Sequence, residues 1–451
     1  MVHSLTSSYA NIINALARHL SSRELMEKSR LDPRHFTRER KLTFPVILSF
    51  LLSSVQGAVQ SELNTFFADL RNRVESIRKV SAQAFSEARY KISSRVFDDV
   101  NRELIAQVAE QMSIPRWHGL RVVAGDGTVV QLTMLKNGVR SIVSGLAFGL
   151  YLPGIELFLS FKLQLGSCSE RQMLFESLSL LCPNDLLLLD RGFPCRWLPA
   201  VLIARRIHFC IRCDLSHGFK VVREFLLSGE SERVVTLRAP NRRDAEDYEC
   251  PVMPTTVRLV RVLTPNGRIH VVMTSLLDTI AFPATSFAAL YHSRWRVEEA
   301  FKRIKHRLSL EHTSGLSWHA ANQDFGAKVI FDNLNALAAY VATDAHLDPD
   351  SSYKINRTQE IQKIKENVGR WLLAGAATAR RLKSLMKEIA MDLQKLVPDR
   401  TNPHKPQPKP HLSHAHSCTS LHLPSLREEA SPILSFLYQA SRFGAATCQN
   451  Q

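Results

Sequence analysis

The chain has 451 residues, 45% of them hydrophobic and 22% charged. This is close to an average soluble composition and excludes a disordered chain, and no apolar run reaches the roughly 18 residues of a membrane-spanning helix. The formal net charge of +16 and a pI near 9.7 favour a polyanionic partner, nucleic acid first and a membrane surface second.

The N-terminal stretch MVHSLTSSYANIINALARHL lacks the basic start and compact apolar segment of a secretion signal. Eight cysteines without a regular framework fit reduced thiols, so a soluble, cytoplasmic protein is expected. Cys210 and Cys213 have CxxC spacing, but no second pair completes a zinc site.

Residues 1–115 read as helical, with apolar residues recurring at three and four in FPVILSFLLSSV and FDDVNRELIAQVAEQM. Arg38, Arg40, Lys41, Arg89, Lys91 and Arg95 decorate this region, as a DNA-contacting helical module or as ordinary solvated charge. From 116 to about 345 an α/β domain is expected. LRVVAGDGTVVQL, ELFLSFKLQL and DLLLLDRGF are apolar runs bounded by Gly, Pro or Asp, as in strands covered on both faces, and SERQMLFESLSLL between them has a helical period. HFCIRCD, ERVVTLRA, TTVRLVRVLT and IHVVMTSLL, at about 206–280, read as antiparallel strands inserted into that core. Helices return from 285 to about 345, and a C-terminal helical region spans 346–400. Residues 401–451 begin with TNPHKPQPKPHLSHAHS, rich in Pro, His and Lys, and read as a basic disordered tail with a short amphipathic segment.

The chemistry concentrates in YHSRWRVEEAFKRIK, residues 291–305. Wound as a helix, Tyr291, Arg294, Glu298, Lys302 and Lys305 fall within a stripe roughly 60 to 80° wide. Val297, Ala300, Phe301, Ile304 and Leu308 form a second, apolar stripe about 100° round the axis. One reading is a surface helix with i,i+4 pairs, Arg294 to Glu298 and Glu298 to Lys302, contributing about 0.3 kcal/mol each. The other depends on two further acids. Asp126 follows the buried run RVVAG, and Asp190 ends DLLLL in the same way. A lone Asp at a strand end serves most often as a turn former or helix cap. Two on one core with a glutamate on a later helix are less ordinary. Three carboxylates without His or Cys suit Mg²⁺ or Mn²⁺, and two such ions clamp an in-line displacement at phosphorus. Arg294 and Lys305 then hold phosphates, and Tyr291 donates to a phosphate oxygen.

At these residues the sequence resembles the IS4-type DDE transposases. Their signature Y-x2-R-x3-E-x6-K is met by Tyr291, Arg294, Glu298 and Lys305, and AGDGT and LLLLDRGF resemble the segments carrying their first and second aspartates. FTRERKLTFPVILSFLL resembles their N-terminal helical region, so the likeness covers roughly residues 30–345. It implies a ribonuclease H-like core with a β-rich insertion, preceded by an all-helical region and followed by helices. It further implies Asp126, Asp190 and Glu298 as catalytic, metal-binding acids with two Mg²⁺ (Mn²⁺ as substitute), and DNA contacts from Tyr291, Arg294, Lys302 and Lys305. The expected activity is metal-dependent DNA cleavage and strand transfer on terminal inverted repeats and target DNA, by a homodimer. A catalytically inactive relative that occupies the element ends is the alternative. Relatives stack a flipped base on a tryptophan of the insertion. Here none lies between 198 and 294, and the flanking Trp197 and Trp295 are expected in the core.

Overall fold

The computed structural model describes residues 5–395 apart from 39, 72–78, 167, 216–218, 265–266, 349 and 376; the expected tail at 401–451 lies outside the described residues. Among the described residues six helices come first: α1 (Leu5–Leu20), α2 (Arg23–Ser29), α3 (Phe44–Leu52), α4 (Val59–Asp69), α5 (Ala82–Arg89) and α6 (Val96–Gln111). Then follow β1 (Arg116–Trp117), β2 (Leu120–Lys136), β3 (Val139–Leu152), β4 (Leu157–Leu165), α7 (Glu170–Phe175), β5 (Asp185–Leu189), α8 (Trp197–Ala204) and β6 (His208–Arg212). The next stretch holds α9 (Lys220–Ser228), β7 (Glu232–Leu237), α10 (Arg242–Asp247), β8 (Thr255–Leu263) and β9 (Ile269–Thr274). The chain continues with α11 (Phe287–His292), α12 (Trp295–Arg307), α13 (Trp318–His346), β10 (Tyr353–Ile355), α14 (Arg357–Ala374), α15 (Ala379–Met391) and β11 (Leu393–Lys395).

The main sheet runs β4-β3-β2-β5-β6-β9-β8-β7, with β1 paired to β2. β2, β3 and β4 form an antiparallel meander, and β5 and β6 continue from β2 in parallel. A meander whose first strand is central and parallel to the fourth and fifth is the ribonuclease H-like topology. The block read as an insertion differs in one respect: its first strand, β6, belongs to the core. β9, β8 and β7 then extend the same sheet through antiparallel β6–β9 pairing, with α9 and α10 between strands.

β3 was not foreseen. The β2–β3 hairpin turns at Asn137 and Gly138, with φ of 52° and 78°, so both central residues are left-handed as in a type I′ turn. α13, 29 residues long, is buried on nearly every side. Its apolar residues meet the sheet and the other helices, and its buried polar residues find partners, as burial demands. Asn333 Oδ1 accepts from Phe158 N at 2.7 Å, and Lys328 donates to the Ser309 and His312 carbonyls at 2.7 and 2.6 Å. Arg89 is part of this network and not of a DNA-facing surface or a solvated one, the two readings its sequence left open. It is 1% exposed and meets Asp324 at 2.8 Å. Arg38, Arg40, Lys41 and Arg95 are exposed.

Helices from both ends of the chain pack together. Tyr9 of α1 donates to the Leu334 carbonyl at 3.1 Å and meets the Trp371 ring edge-on at 6.5 Å, and Asn14 donates to the Ala377 carbonyl at 3.0 Å. Among the described residues no helix is long and apolar enough to cross a membrane.

Candidate active site

The parallel register of β2 with β5 runs from Arg121 opposite Asp185 to Ala124 opposite Leu188. Carried two residues on, it sets Asp126 level with Asp190. All five residues of β5 are buried, so Asp190 is the first to leave the core, at the carboxyl edge where α/β sheets form their sites. Gly127 fits the same edge. A Cβ there would lie 2.5 Å from Glu170 Oε1, so the missing side chain admits a fourth carboxylate from the first turn of α7. Sequence reasoning passed over Glu170, whose one signal is its place at the start of the helix after the third core strand.

α12 lies across β2, packed by Val297, Ala300, Phe301 and Ile304; the Phe301 ring meets Phe158 edge-on at 5.2 Å. This turns Glu298 towards the sheet edge. Arg294, 1% exposed, links the acids: Nη2 donates to Glu298 Oε1, and Nη1 stands 3.6 Å from Asp126 Oδ2. Burial pushes the Asp126 carboxyl up to about 7; Arg294 opposes that shift, while Glu298 and Glu170 add to it. Burial also raises Glu170, helped by the charge of Asp190. Burial disfavours the Arg294 charge, but Tyr291, Asp190 and Glu298 around it hold its pKa above the usual value.

The remaining expected residues fall as follows. Tyr291 is buried, and its hydroxyl donates to the Leu189 carbonyl at 3.3 Å, tying α11 to the strand that ends at Asp190. Lys305 donates to the Val129 carbonyl on β2. Lys302 pairs with Glu299 at 3.0 Å, so the i,i+3 pair forms in place of the expected one with Glu298. Trp197 is buried and stacks on Tyr248 at 3.7 Å, whereas Trp295 is 47% exposed and not in the core as expected. Arg212, also unforeseen, stands 3.7 Å from Asp190. It lines a cavity of about 450 Å³ with Arg191, Asp214, Arg268 and His270, which gives the Asp190 side of the edge a cationic rim.

The oxygen donors have the chemistry of a hard-cation site. Asp190 Oδ1 is buried without a hydrogen-bond partner, and Asp126 is a half-buried carboxylate only partly offset by Arg294, so both fit a divalent ion. Among the described residues, however, no three acidic, histidine or cysteine side chains close around one point. The acids surround the Arg294 guanidinium instead.

Residues 120–334 match the model of the family described as Transposase DDE domain, a stretch that includes Asp126, Asp190 and Glu298. Among solved structures, the chain is similar to the piggyBac transposase synaptic complex with hairpin DNA. The TM-score is 0.39 and the identity 9%, over 88% of this chain and 86% of that one. No curated protein shows significant sequence similarity to the chain. Residues 120–334 are thus similar to the Transposase DDE domain family.

Proposed function

We propose that the protein is a cut-and-paste transposase that binds the terminal inverted repeats of an insertion sequence of the IS4 type. The observation that carries this reading is the meeting of Asp126, within β2, and Glu298 of α12 at one buried guanidinium, with Asp190 level on the end of the neighbouring strand, inside the matched domain. Asp126, Asp190 and Glu298 would hold two Mg²⁺ ions, with Mn²⁺ as substitute. Such ions, when bound, supply charge that stabilises the attacking and leaving oxygens at phosphorus.

The chain's own residues orient and bind. Arg294 fixes Glu298 and Asp126 relative to one another from a buried position. Tyr291, through the Leu189 carbonyl, holds the strand end from which Asp190 projects. Lys305 pins the last turn of α12 to β2. Arg212 and Arg268 line the approach to Asp190 and suit phosphate contacts, and the exposed Lys302 adds charge beside Glu298. The N-terminal helices, with Arg38, Arg40 and Arg95 exposed, grip the element ends, and two protomers bring two ends together in the cytoplasm.

The test is incubation of the purified protein with a labelled duplex bearing the element's end, in Mg²⁺ or Mn²⁺, beside Glu298→Gln. Metal-dependent cleavage that vanishes in the variant, with products joined to target DNA, is the expected result. Binding without cleavage in either metal replaces this reading with that of a non-catalytic DNA-binding relative.

A further inference from the structure

α12 has a second face. Roughly 130° round the axis from Glu298, Arg296, Glu299, Arg303, His306 and Arg307 turn away from the sheet edge. They line a cavity of about 780 Å³, closed by the end of α13, by Lys354 of β10 and by Arg357 of α14. Most of its charges are matched. Arg303 meets Asp332 at 2.6 Å, Arg357 meets Glu360 at 2.9 Å, Arg296 meets Glu156 at 3.2 Å, and Lys302 meets Glu299. Arg307 and Lys354, both exposed, form no ion pair among the described residues, and Asp344 is the one lining acid without one. Partial burial, then the nearby cations Arg303 and Arg357, push the Arg307 guanidinium below its usual pKa, against the opposing charges of Glu360 and Asp332. The α12 dipole accounts for basic residues in its last turn. It does not account for Lys354 and Arg357, which other elements bring to the same cavity.

We infer that this cavity is a second phosphate site, in which Arg307 and Lys354 take the DNA backbone on the side of α12 away from the catalytic acids. The inference rests on the proposal that the chain acts on DNA. What carries it is that separate elements, α12 and β10, bring two exposed cations without ion-pair partners among the described residues to one cavity.

The test is fluorescence anisotropy of a fluorescein-labelled duplex with the full chain, metal chelated, across a salt series. Arg307→Ala/Lys354→Ala is compared with wild type and with Lys383→Ala/Lys387→Ala, which removes equal charge from exposed positions on α15. Each lost phosphate contact lowers the slope of log K against log salt by about 0.9, so the first double variant should lose about 1.8. Its low-salt affinity should fall at least tenfold, while the α15 variant stays near wild type. Wild-type binding with an unchanged slope in the first variant overturns this inference alone, and so does an equal loss in the α15 variant. Polyglutamate competing as well as unlabelled duplex reassigns the cavity to acidic protein and overturns it too. No binding by wild type overturns both this inference and the proposed function.

Discussion

Arg89 and Arg294 are equally buried, each 1% exposed, yet their surroundings differ. Arg89 is saturated. Its three nitrogens reach Gln323, Ser314, the Ala320 carbonyl and Asp324 at 2.5–3.0 Å, and Asp324 in turn accepts from Ser314 N at 2.6 Å. Arg294 leaves Nε and Nη1 without hydrogen-bond partners, and its acids remain partly open, with 16% of the Asp126 side chain and 31% of the Glu298 side chain exposed. A closed network of this kind fixes a fold. Buried polar atoms left unsatisfied beside solvent-facing carboxylates call for a specific explanation, and binding capacity kept open for a ligand supplies one.

The contrast is most severely tested at Arg89. Arg89→Met strands Asp324 in the core and should cost about 3–5 kcal/mol in urea unfolding, with Asp324→Leu added in the same chain recovering much of it. A loss below about 1 kcal/mol would dissolve the distinction. Next comes Glu298→Gln, for which metal-dependent cleavage should fall more than about 100-fold, since outer-sphere partners alone are worth about 10–100-fold. Its unfolding free energy should stay within about 0.5 kcal/mol, the reverse of the Arg89 pattern. Arg294→Lys keeps the charge but cannot fork to two acids, and a cleavage loss of about tenfold is expected with a modest drop in stability.

A smaller effect appears in the pH dependence of the metal-free protein. Asp126 has a folded pKa of about 7, above the ordinary carboxylate value, so the folded state binds more protons than the unfolded one between about pH 4 and 7. Its contribution to stability is therefore full at acid pH and lost as pH rises through 7. Asp98, raised to about 6, and Glu360, raised to about 7, both by burial, lean the same way. The readout that isolates Asp126 is the Tm of wild type minus that of Asp126→Asn, which should fall as pH rises. A value that climbed with pH would contradict this sign. The smallest effect, about 1 kcal/mol, is expected for Gly138→Val, which puts a branched side chain at φ 78° in the hairpin turn.

Much of the core was readable locally. Apolar runs marked β2, β4 and β5, and the helical period separated the packing face of α12 from the face that bears Glu298; the single helix expected over 291–305 is instead two, with α11 ending at His292 and α12 starting at Trp295 after Arg294 as its N-cap. β3 was missed because GLAFGLYL mixes small and large residues without clean alternation, although Asn137-Gly138 before it is a hairpin signal. Lys302 was assigned to Glu298 because i,i+3 and i,i+4 partners are equivalent on a helix until tertiary packing selects one. Arg89 read as surface charge because its partners, Ser314, Ala320, Gln323 and Asp324, lie more than two hundred residues away. Glu170 could not be placed at the site before β4 was known to lead back to the first strand's edge.

The pairing of Tyr9 with Leu334 spans 325 residues of chain. At about 5–20 residues per second of synthesis, α1 leaves the ribosome roughly 16–65 seconds before its partner on α13 exists. For that interval it can pack only on α2, α3 and α6, while its contacts with α13, α14 and α15 wait. Because α13 also follows α12 in sequence, the catalytic edge and the N-terminal helices gain their common support at nearly the same moment. Competence for chemistry and completion of the fold are thereby joined in time, and a chain halted before α13 would possess neither.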